Sequence, residues 1–153
     1  MSQNAVRALV WDENPPHAPR SIYPASINGA VAEGLVRYGG GAIAPSCANL
    51  DDPDQGVSES VLQETDVLLW WGHARHGEVK DETAERVTRH VHERGMGFVA
   101  LHSAHYAKPF QKVVGGPGHL KGGWRENDPP EREEIVVAAP WHPIAQGISD
   151  FVL

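Results

Sequence analysis

Short, almost wholly apolar runs alternate along this chain with segments whose apolar residues recur at helical spacing. That alternation constrains the fold more than any other feature. Ala5 to Trp11 (AVRALVW), Asp66 to Trp71 (DVLLWW) and Phe98 to Leu101 carry no polar stripe, so each predicts a strand buried on both faces. A weaker strand is expected over Ala42 to Ala44, and further pieces over Ile135 to Ala138 and from Phe151 onward. Between them, Pro24 to Tyr38 has Ile27, Ala30, Val31, Leu35 and Tyr38 on one helical face, ended by Gly39-Gly40-Gly41. Ser58 to Glu64, Asp81 to Arg94 and Tyr106 to Val114 read as three more helices. The order β-α-β-α-β-α-β-α implies a mainly parallel α/β sheet, doubly wound in the flavodoxin-like manner, with right-handed crossovers. At 153 residues the chain is expected to be one domain, 1–153.

Charge narrows the partners. With 13 Lys+Arg against 20 Asp+Glu and a net charge of −7, there is no cationic face for nucleic acid or for an anionic membrane. No apolar stretch approaches the ~20 residues of a membrane helix, and the start MSQNAVRALVWDEN does not resemble a signal peptide. Cys47 is the single cysteine, which precludes an intrachain disulfide and fits a reducing, cytoplasmic setting. It is expected in a loop after the second strand, away from the site and inert.

Nine histidines carry the functional signal. In open α/β sheets, ligands bind beyond the carboxyl ends of the strands. The first strand runs into Asp12, Glu13 and His17, the third into Gly72-His73-Ala74-Arg75-His76, and the fourth into His102-Ser103-Ala104-His105. Three strand ends therefore deliver imidazole or carboxylate to one edge. His73, His76, His102 and His105, as two HxxH pairs, could ligate a divalent metal (Zn, Mn or Fe), bind sugar hydroxyls, or shuttle protons. Glu13 and His17 are candidate partners of that set.

Ser103 lies where a strand turns sharply into a helix, the place of a nucleophile elbow. Leu101 and His105 stand where the elbow glycines would be. Acyl-transfer nucleophile, helix cap and ligand hydrogen-bonder all remain open for Ser103, and His73 and His105 are the candidate acid/base groups. Trp70-Trp71 reads first as core, but adjacent strand residues point oppositely, which leaves one of the two, with Trp71 the candidate, to face the site. The long Gly/Pro-rich stretch 115–134 holds Trp124, Arg125 and Glu126, a triplet suited to a sugar or an anion. His90 and His92 read as solvated helix-surface residues, and His142 before Pro143 as a turn-former.

VWDEN, TDVLLWWGHARHGEV, ERGMGFVALHSAHYAKPF, WRE and WHPIAQGI, in this order and spacing, resemble the ThuA-like trehalose utilisation family. The resemblance implies a fold similar to class I glutamine amidotransferases. In that fold the elbow carries a catalytic cysteine; Ser103 at the turn argues against glutamine hydrolysis. It further implies catabolism of trehalose or a related disaccharide through 3-keto sugars, which a partner dehydrogenase would make. Members of the family usually run on to a PGHE-type segment, so this chain corresponds to roughly their first 60%. An uncovered sheet edge would then favour homo-oligomers. The leading expectation is a sugar-processing enzyme; a non-catalytic sugar-binding or regulatory module is the alternative, and a hydrolase using Ser103 a third.

Overall fold

The structure, a computed structural model, describes residues 4–118 and 127–153. They belong to two compact units divided after Leu120. Trp124, Arg125 and Glu126 lie outside the described residues.

The first unit is a four-stranded parallel sheet in the order β2-β1-β3-β4, with β1 at Val6–Asp12, β2 at Ile43–Asn49, β3 at Val67–Gly72 and β4 at Gly97–His102. Helix α1 (Ser26–Tyr38) packs on β1 and β2; α2 (Glu59–Gln63) packs against α3 (Asp81–Arg94), and α3 also packs against α4 (Lys108–Val114). Strands and helices alternate throughout, a doubly wound α/β arrangement as the apolar runs predict. Consecutive strands β1 and β2 are neighbours, but the chain then crosses to the other side of β1 to lay down β3. The strand order therefore reverses between β1 and β3, and in open α/β sheets the crevice for a ligand lies at that reversal.

The core explains why the apolar runs are continuous. Trp11 of β1 and Trp70 of β3 pair across the sheet and stack with ring centroids 3.6 Å apart. Leu9, Leu62, Leu68, Val57, Val79 and Val87 close around them, all buried. Trp11 Nε1 donates to the Gln55 carbonyl at 2.7 Å, so this indole is buried without losing its hydrogen bond.

Several elements differ from the sequence reading for visible reasons. β2 spans seven residues rather than three: Pro45, Ser46 and Cys47 dilute its apolar signal, and it needs little because it is an edge strand with alternate positions exposed. Cys47 accordingly sits in β2 rather than in a loop after it. In α1 the buried residues are Ser26 and Asn28, and Tyr38 is exposed. The polar pair goes inside because Asp12 awaits it: the Ser26 hydroxyl donates to Asp12 Oδ2 at 2.5 Å and the Asn28 N–H at 2.9 Å. His90 is buried, not solvated; its Nε2 lies 2.9 Å from Glu59 Oε1, tying α3 to α2. His92 Nε2 lies 3.0 Å from the Val113 carbonyl. Among the described residues no helix is long and apolar enough to cross a membrane.

The second unit holds β5 (Glu134–Ile135) and β6 (Phe151–Val152), a short antiparallel pair. The strand expected over 135–138 is thus two residues, 134–135. His142 does form a turn, its Nδ1 accepting the Ile144 N–H at 3.2 Å.

Candidate functional site

The carboxyl ends of β1, β3 and β4 converge. Register fixes this: Asp12 lies beside Trp71, and Gly72 beside His102. The residues that follow each strand therefore start within one or two strand spacings of one another, about 5–10 Å.

His73 and His102 meet directly. His73 Nδ1 and His102 Nε2 are 2.7 Å apart, one imidazole donating to the other, with ring centroids at 4.9 Å. The Trp71 indole lies nearly parallel to the His102 ring, 6° between planes and 5.3 Å between centroids. His17, from the loop after β1, packs against His73 at 4.7 Å and faces Trp71 at 6.4 Å. His17, His73 and His102 are all exposed and Trp71 is half-buried, so this wall of four rings is open to a ligand.

A second group lies alongside. The His105 ring lies tilted against Tyr106 at 4.1 Å, and His76 tilts toward Tyr106 at 6.0 Å. His76 occupies space that only a glycine leaves: a Cβ on Gly72 would come within 2.8 Å of His76 Cε1. His76 Nε2 is buried with no hydrogen-bond partner among the described residues. Desolvation pushes the His76 imidazole below its ordinary pKa; the charges of His105 and His73 add to this, and the attraction of Glu13 opposes it. His102 is pushed down in the same way, first by desolvation and then by His73, again against the pull of Glu13. Both rings therefore favour the neutral form, which can take a proton.

Glu13 is 1% exposed and anchors the loop after β3. Its carboxylate accepts the backbone N–H groups of His73 at 2.9 Å, Ala74 at 2.8 Å and Arg75 at 2.9 Å. Desolvation raises its pKa, but these three donors and the nearby His76 outweigh it and hold the group below the usual carboxylate range. A carboxylate so occupied has little capacity left for a sugar hydroxyl. Arg75 locks the same corner. Its guanidinium donates to the Glu13 carbonyl at 2.7 Å and to Asp51 Oδ1 at 2.8 Å, and it grips Glu78 Oε2 at 2.7 Å. Asp51 falls to about 2 beside Arg75 and Asn14.

The turn after β4 differs from the sequence reading. The strained residue is His102, at φ +58°, not Ser103. Ser103 has ordinary backbone angles (φ −83°, ψ 15°) and its side chain caps nothing; its carbonyl, not its hydroxyl, accepts the Tyr106 N–H that closes the turn. A non-glycine residue at positive φ costs about 1–3 kcal/mol and persists where the surroundings hold it, often at functional sites. Sequence reasoning missed this because G-x-S-x-G draws the eye to the serine, whereas no residue-type preference marks a histidine as left-handed.

The four histidines of the two HxxH pairs thus lie in one neighbourhood but in two contacts, His73 with His102 and His105 with His76 through Tyr106. Among the described residues no group of three or more His, Cys, Asp or Glu is arranged to hold a metal ion. A 2.7 Å contact between ring nitrogens is a hydrogen bond, and the two buried carboxylates are occupied elsewhere, Glu13 by backbone N–H groups and Asp12 by Ser26 and Asn28. What the arrangement can do is accept and deliver protons between adjacent imidazoles, beside an aromatic face.

No curated protein matches this sequence. The family model for trehalose utilisation, ThuA, matches residues 7–153, nearly the whole chain and every strand of the imidazole site. The chain belongs to the ThuA family, and its general role is in trehalose utilisation.

Proposed function

We propose that the chain is an acid–base enzyme acting on a keto derivative of trehalose or a related disaccharide, with His73 and His102 as the proton-transferring pair. The contact that carries this reading is His73 Nδ1 to His102 Nε2 at 2.7 Å, against the half-buried Trp71. An indole face and imidazole nitrogens suit a sugar ring, which presents C–H bonds on one face and hydroxyls at its rim. A 3-keto sugar also has an acidified C–H at C2, beside the carbonyl and next to the anomeric carbon.

One imidazole, neutral as the depressed His102 favours, takes that proton. The C–H electron pair becomes the C1–C2 double bond as the C1–O bond breaks. Its electrons leave with the departing sugar oxygen, which takes a proton from the partner imidazole. Nothing is oxidised or reduced in this step; the carbonyl comes from a separate dehydrogenase, which the family resemblance implies. Such acid–base help is typically worth about 10²–10⁴-fold in rate.

Release of free monosaccharide is the test. Trehalose should be stable to the protein, its 3-keto derivative should be cleaved, and His102→Ala and His73→Ala should each slow cleavage about 100-fold or more. Cleavage of unmodified trehalose at equal rate would contradict the reading. A sugar-binding module is the second reading, favoured by the exposure of His17, His73 and His102. It predicts quenching of tryptophan fluorescence by the sugar with no monosaccharide released.

A further inference from the structure

We propose that Glu13 is a positioning residue, whose buried carboxylate grips three consecutive N–H groups of the loop after β3 and so aims the His73 imidazole at His102. The proposal takes the imidazole pair as the working groups of the site, as above. It assigns Glu13 a role that leaves the carboxylate out of contact with sugar.

The geometry is specific. Glu13 immediately follows β1, and His73 immediately follows β3, its parallel neighbour across the point where strand order reverses. One carboxylate collects the N–H groups of His73, Ala74 and Arg75, all within 2.9 Å of an oxygen. Three successive N–H groups can converge on one anion only if the chain curls around it. That curl fixes the Cα–Cβ direction of His73, which then has few rotamers that place Nδ1 against His102. Arg75 closes the curl from outside, since its Nη1 holds the Glu13 carbonyl while Asp51 and Glu78 hold the rest of its guanidinium.

Glu13 also carries the negative charge that faces the imidazoles. Its field draws protons toward His76 and His102, whereas His73, His105 and His17 repel them. The Arg75 guanidinium, which holds the Glu13 backbone carbonyl, is itself shared with Asp51 and Glu78. Removing the Glu13 charge should therefore leave the imidazoles harder to protonate, an effect that a purely steric anchor would not produce.

The test is NMR of the full chain, without sugar, comparing wild type with Glu13→Gln. The amide can present one acceptor oxygen, and its NH2 group opposes the N–H groups it meets. Two changes are expected in a protein that stays folded by circular dichroism. The low-field imidazole proton of the His73–His102 contact disappears, and the titration midpoints of His76 and His102 move down. Retention of that proton with unchanged midpoints would overturn the proposal. Should Glu13→Gln not fold, acid titration of the wild type decides. The amide protons of His73, Ala74 and Arg75 should shift together, with a midpoint below the ordinary 4.5 of a glutamate. Independent shifts, or a midpoint at or above that value, would refute the anchor. No readout involves a substrate, so failure here is distinguishable from failure of the sugar reading, which shows in monosaccharide release.

Discussion

At the scale of single residues, His102 joins strain and chemistry at one position. Its φ of +58° is tolerated by glycine at no steric cost. His102→Gly should therefore be more stable than His102→Ala by about 1 kcal/mol, while both lose the imidazole and with it the proposed cleavage. Equal melting temperatures for the two variants would show that the backbone is not strained there. Gly72 is the converse case, a position where any side chain intrudes. A Cβ 2.8 Å from the His76 ring has to displace the imidazole, so Gly72→Ala should cost about 1–3 kcal/mol and shift the His76 resonances. The site also sets a pH response. His76 and His102 titrate lower in the folded chain than the ordinary 6.5 of a histidine. As pH falls through 6.5 the unfolded chain takes protons that the folded one refuses, so stability present above 6.5 declines below it. A second loss follows below 4.5, where the unfolded chain protonates Glu13 and the folded chain still resists. Urea midpoints measured from pH 8 to 4 should fall in that order, and a flat profile between 7 and 5 would contradict the histidine shifts.

Elements show where a sequence speaks and where it is silent. β1, β3 and β4 were legible because their apolar runs are unbroken, yet only β1 is buried along most of its length: β3 buries alternate residues, and β4, an edge strand, buries none fully and exposes Val99. β2 was read at under half its length because Pro45, Ser46 and Cys47 interrupt its apolar run, which the other edge strand, β4, keeps. Helix α3 was legible at both ends, and Gly95 closes it with φ +73°. Its inner face misled, however: His90 looks like one more polar residue among Arg and Glu, but it is buried against Glu59 and Arg94. Nothing in local spacing announces a partner 31 residues away. His90→Ala should destabilise the chain by about 1–3 kcal/mol by leaving polar neighbours and a void, measurable as a lowered urea midpoint; an unchanged midpoint would return His90 to a surface role. The turn after β4 was legible as a turn, but not as to which residue it strains. That depends on φ, which His102 and Ser103 do not declare by type.

For the molecule as a whole, topology gathers the site. With strands ordered β2-β1-β3-β4, the ends of β1 and β3 flank the reversal, and β4 lies beside β3. His17, Glu13, Trp71, His73, His76, His102 and His105 come from these three ends, and that much was visible once the strands were counted. Their division of labour was not. The sequence shows a carboxylate and several imidazoles near one edge; only packing shows that Glu13 turns inward to the loop while His73 and His102 turn to each other. The central claim is that this imidazole pair moves the proton beside a sugar carbonyl. The most direct measurement is deuterium incorporation at C2 of a 3-keto disaccharide in D2O, followed by NMR with wild type, His73→Ala and His102→Ala. The account predicts exchange or cleavage at C2 that is fast with wild type and near background with either variant. Wild-type exchange and cleavage both no faster than in buffer, or both undiminished in the two variants, would contradict it.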